Sequence, residues 1–100
     1  MIAPDVIAPD TGHIAVQGRL TTETVPALFE TGLQHLSVGD LQVDFSQVEA
    51  VDSAAISMLL GWERAAQRSQ RDLRVVGWPD DLLSLARLYG VDELLPLHED

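Results

Sequence analysis

The stretch Leu41-Gln42-Val43-Asp44-Phe45-Ser46-Gln47-Val48-Glu49-Ala50-Val51-Asp52-Ser53-Ala54-Ala55-Ile56-Ser57-Met58-Leu59-Leu60 decides the fold. Leu41, Val43 and Phe45 alternate with polar residues, which predicts a strand over 41–45 with one face buried. A short loop then leads to Asp52-Ser53, which opens an almost wholly apolar helix running to about Gln70. A helix N-terminus offers unpaired backbone N–H groups and the positive end of the helix dipole. Ser53, at that end, has three possible roles: helix cap, phosphate acceptor and anchor for a partner protein.

Working outward, Val6–Ala8 and His13–Gly18 are predicted strands separated by the turn Pro9-Asp10-Thr11-Gly12, a hairpin. Val25, Leu28, Phe29, Gly32, Leu33 and Leu36 recur at helical spacing and make one apolar stripe. Thr21 or Thr22 is expected to cap that helix, and Pro26 lies early enough to be tolerated. Beyond the second helix, Leu73–Gly77 forms a further strand. Trp78-Pro79-Asp80 opens a third helix with a core stripe of Leu82, Leu85, Ala86 and Tyr89, and Gly90 ends it. Val91–Leu95 is a final turn or short helix closed by Pro96. The order ββαβαβα requires crossovers, hence at least one parallel strand pair in an α/β sandwich.

One hundred residues make one domain, and 46% hydrophobic residues suffice for a single core. The absence of cysteine removes disulfides, thiolate chemistry and Cys-based metal sites. The first residues have neither a basic start nor an apolar run, and no stretch approaches the ~20 apolar residues that span a bilayer. A soluble, cytoplasmic chain is expected. The formal charge of −10 argues against nucleic acid, which needs a cationic footprint.

All six basic residues are arginine, and Arg64, Arg68, Arg71 and Arg74 lie close together. Arg64 and Arg68 complement a helix C-terminus, or the group forms a small docking patch for an acidic partner or lipid headgroups; the first reading is favoured because such dipole contacts are common.

On the second helix Ser53, Ser57, Arg64 and Arg68 share a narrow polar stripe, while apolar side chains cover most of the remaining circumference. A helix on one sheet needs an apolar arc of only a little over ~100°. Met58 and Trp62 are therefore expected to overhang the core, either covered by a neighbouring helix or forming a partner interface.

Chemistry-bearing motifs are missing. No G-x-x-x-x-G-K-[ST] or G-x-G-x-x-G loop occurs, so no nucleotide or other cofactor is expected. His13, His35 and His98 are scattered without metal-ligand spacing. Asp44 and Asp52 could pair, but no nucleophile–base–orienter set accompanies them, and an enzyme is not expected.

The strand, Val51-Asp52-Ser53, apolar helix, strand, and Leu85-Ala86-Arg87-Leu88-Tyr89-Gly90-Val91 together resemble a STAS domain, the module named for sulfate transporters and anti-sigma-factor antagonists. The resemblance covers about His13 to Leu95. It implies a mixed sheet of four to five strands with helices mainly on one face, a single domain over 1–100, and loose ends at about 1–4 and 97–100.

Two branches of the family compete. In anti-sigma-factor antagonists Asp-Ser precedes a small polar residue and glycine, and a partner kinase phosphorylates the serine; this chain has Ala54-Ala55 there, which weighs against a switch at Ser53. Gly18-Arg19-Leu20, Val25-Pro26-Ala27-Leu28, the apolar second helix and the leucine-rich ending are more similar to the MlaB-like subunit of the Mla phospholipid ABC transporter.

That resemblance implies a non-catalytic accessory subunit, cytoplasmic and peripheral at the inner membrane in complex. It would bind the transporter's ATPase and meet the membrane only through it. The interface it implies is Asp52, Ser53, Ala54, Ser57, Met58 and Trp62. The alternative is an anti-sigma-factor antagonist phosphorylated at Ser53.

Overall fold

The computed structural model describes residues 5–10 and 12–97, with side chains from Gly12 onward. Strands β1 (Asp5–Asp10) and β2 (His13–Leu20) pair antiparallel, with Val6 opposite Val16. Thr11, in the predicted turn between them, lies outside the described residues, as do 1–4 and 98–100, and with them His98. Helix α1 (Val25–Leu36) leads to β3 (Leu41–Val51), helix α2 (Ser53–Ser69) to β4 (Leu73–Val76), and helix α3 (Asp80–Leu88) to a 3-10 turn at Asp92–Leu94. The sheet order is β1-β2-β3-β4, and β2, β3 and β4 run parallel. Each helix therefore starts at the end of the sheet where the preceding parallel strand finishes.

Inward-facing residues of the strands, such as Val16, Val43, Phe45 and Val75, join Leu28, Leu36, Ala55, Leu59, Leu82 and Ala86 of the three helices in one buried cluster. The helices thus cover one face. The other face carries His13, Gln42 and Arg74 side by side across three strands, followed by Ala15, Asp44 and Val76.

Strand β3 is longer than the predicted 41–45, and a bulge explains why. Its register with β2 steps from Ala15–Asp44 to Gln17–Gln47, so β3 carries an extra residue. The Asp44 carboxylate accepts the Ser46 N–H at 2.8 Å and holds the kink. Beyond it the buried position shifts from odd to even numbers, at Val48, and simple alternation ends although pairing continues to Val51. No loop remains between strand and helix: Asp52 alone joins them.

The cap of α1 also differs. Thr24, not Thr21 or Thr22, is the flanking residue, and its hydroxyl makes no helix-cap bond. It accepts the Thr21 N–H at 3.0 Å and donates to the Arg19 carbonyl at 2.7 Å, bracing the turn into α1. In α3, Leu82 and Ala86 are buried, Leu85 is half-buried and Tyr89 is exposed. Gly90 follows the helix with φ +71°, the left-handed conformation that suits glycine.

Leu97 is the one described residue of the stretch 97–100. It bridges Val75 in parallel beside β4, the Val75 N–H donates to the Pro96 carbonyl at 2.7 Å, and Leu97 packs against the core.

Candidate functional site: the groove between α1 and α2

Asp52 is fixed from both sides. Its N–H donates to the Leu20 carbonyl at 3.1 Å, tying it to the end of β2, and its extended backbone (φ −128°) turns the chain into α2. Its Oδ1 accepts the Ala54 N–H at 2.8 Å. The carboxylate is therefore the N-cap, satisfying one of the orphan donors of the first turn. Ser53 is relieved of that task and stands exposed as the first residue of α2.

The predicted overhang of Trp62 is not found. Trp62 is fully buried and Met58 is 2% exposed. Of the two expectations for the surplus arc, cover by a neighbouring helix is the one found: α1 takes it. Two glycines permit this contact. A Cβ on Gly32 of α1 would collide with the Trp62 indole, and a Cβ on Gly61 of α2 would lie 2.8 Å from Cε1 of Phe29. Each helix thus lays an aromatic ring across a glycine of the other. The Trp62 Nε1–H donates to the Phe29 carbonyl at 3.0 Å, so the buried indole leaves no donor unpaired. Trp62 is a core residue and not a partner anchor.

Where the two helices begin they part, leaving an open groove of about 540 Å³. One wall is Thr22, Val25, Pro26 and Phe29; the other is Ser53, Ala54, Ser57 and Met58. Four of the six predicted interface residues, Ser53, Ala54, Ser57 and Met58, therefore come together there. Asp52 adjoins them as the cap, and Trp62 lies beneath in the core. Ser57 is exposed one turn beyond Ser53. Sequence reasoning missed the α1 wall. The signal was available: adjacent parallel strands β2 and β3 make their following helices neighbours, and half-buried Phe29 belongs to the predicted stripe.

The arginines do not converge on this groove. Arg68 lies in the last turn of α2, where a cation complements the dipole, and Arg74 stands on the open sheet face. Among the described residues no group of His, Asp and Glu could hold a metal ion, and no helix is long and apolar enough to cross a membrane.

Residues 5–96 match the family described as Mlab, STAS domain, and the chain belongs to that STAS-domain family. It is similar to the anti-sigma-B factor antagonist of Staphylococcus aureus, with 26% identity over 89 residues covering 87% of this chain and 82% of the relative. Its fold is similar to that of the anti-sigma factor antagonist SpoIIAA in its unphosphorylated form, at TM-score 0.75 and 11% identity over 98% of this chain and 88% of the other. It is also similar to the solved complex of the diguanylate cyclase SiaD with its activator SiaC from Pseudomonas aeruginosa, at TM-score 0.61 and 16% identity over 97% of this chain and 90% of the matched one. The α/β fold with three helices on a parallel three-stranded core is thus that of STAS proteins, and the chain is homologous to anti-sigma factor antagonists.

Proposed function

We propose that the chain is a non-catalytic regulatory subunit of the anti-sigma-factor-antagonist kind, which binds a partner protein through the α1–α2 groove and is controlled at Ser53. The observation that carries this reading is the pairing of an open apolar groove with an exposed hydroxyl at its mouth. The homology to the Staphylococcus aureus antagonist supports it. A phosphate on Ser53 would bring a charge of about −1.5 to −2 beside the Asp52 carboxylate and the apolar wall. A partner seated in the groove would then have to desolvate that charge, and binding would weaken. Intact-mass measurement of protein from its native host tests the switch. A species about 80 Da heavier, mapped to Ser53 and lost in Ser53→Ala, supports it. An unmodified serine under all growth conditions removes it.

A second reading is favoured by the family description itself. Here the chain is an accessory subunit of an Mla-type phospholipid ABC transporter, cytoplasmic and held at the inner membrane by the ATPase. Ala54-Ala55 in place of the small polar residue and glycine supports this branch, because Ala54 serves as groove wall. Co-expression with an Mla-type ATPase should then yield a stable complex. Failure to co-purify removes the reading and leaves the antagonist one standing.

A further inference from the structure

The charges of the chain are unevenly placed around this groove. Glu23 follows Thr22 of the groove wall, Asp52 precedes Ser53, and Glu30 lies four residues beyond Pro26 on the same side of α1. Glu23 and Glu30 are exposed, and no arginine lines the groove. Five of the six arginines lie elsewhere: Arg64 and Arg68 in the second half of α2, Arg71 and Arg74 around the start of β4, and Arg87 in the last turn of α3. Only Arg19 stands at this end of the sheet. Part of the acidity complements helix dipoles, as Asp80 and Asp81 do in the first turn of α3. Asp52 does the same as the N-cap of α2, but Glu30 lies beyond the first turn of α1. The exposed charges beside the apolar groove are therefore mostly acidic, with Arg19 the one arginine at this end, on a chain of net charge −10.

We infer that the occupant of the groove is a cationic amphipathic helix, whose apolar side chains seat between Phe29 and Met58 while its Lys or Arg residues face Glu23, Glu30 and Asp52. Two helices side by side leave a furrow that a third can fill with its apolar ridge. A negative rim draws in a positive partner and rejects acidic ones by like-charge cost. The inference rests on the docking reading and adds the chemistry of the partner to it.

The test is selection from a display library of helical peptides about 20 residues long, about 30 Å, against the full chain and against Ser57→Trp, which fills the groove. The expected peptides are retained by the wild type and lost with Ser57→Trp, and they carry net positive charge beside apolar anchors. Their affinity should fall about tenfold between about 0.05 and 0.5 M salt, and threefold to tenfold (roughly) in Glu23→Gln/Glu30→Gln. Groove-dependent peptides that are neutral or acidic, with salt-insensitive binding, would overturn the charge inference and leave docking intact. Recovery of no peptide that depends on Ser57 would also overturn it. Whether the groove then docks a native partner is decided separately, by that partner's loss of affinity for Ser57→Trp.

Discussion

At the start of α2 the Asp52 carboxylate accepts the Ala54 N–H and leaves the Ser53 hydroxyl facing solvent. This separates the structural from the functional member of the pair. Asp52→Ala should cost about 1 kcal/mol by urea unfolding, the usual worth of an N-cap, while Ser53→Ala should change stability by less than about 0.5 kcal/mol. Ser53→Asp should stay folded, since an acidic residue at the first turn suits the helix dipole. The Asp-Ser pair and the helix start were legible from residue types alone. Which of the two residues caps depends on backbone angles that either could adopt. For Trp62 the sequence left two readings open for a different reason: an apolar arc gives the amount of surface to be buried but not which neighbour buries it. Trp62→Glu would place a carboxylate in the core and unfold the chain, and Trp62→Ala should cost ~3–5 kcal/mol.

The contact between α1 and α2 works through its two glycines, and they should respond differently to the same change. Gly32→Ala drives a methyl group into the rigid, fully buried indole of Trp62, and overpacking of that kind costs about 1–3 kcal/mol. In Gly61→Ala the new methyl meets the far edge of the half-buried Phe29 ring, which can swing outward. The gain of up to about 1 kcal/mol in helix propensity offsets the clash, so thermal unfolding should change little. The displaced ring would narrow the groove, and partner affinity should fall. Calorimetric unfolding together with a binding titration separates the two effects. At this scale the sequence was most informative where periodicity was regular, as in α1 and α2. It was least so in β3, where the bulge after Asp44 changes the parity of the buried positions and hides six further strand residues.

Across the whole molecule, the parallel order of β2, β3 and β4 brings the N-terminal ends of all three helices to one end of the sheet. The groove, the exposed Ser53 and the acidic rim share that end, whereas most of the arginines lie toward the other. The α/β class, the one-faced helix layer and the family were legible from strand–helix order and the Asp52-Ser53 junction. The groove was not, because it is made by two segments that are 24 residues or more apart and by the space between them. The central claim is that this space holds the partner. It is tested most directly by measuring the affinity of the protein isolated with the wild-type chain from its host for purified wild type and Ser57→Trp. The account predicts at least about tenfold weaker binding to Ser57→Trp with an unchanged urea midpoint; equal affinity for the two proteins would contradict it.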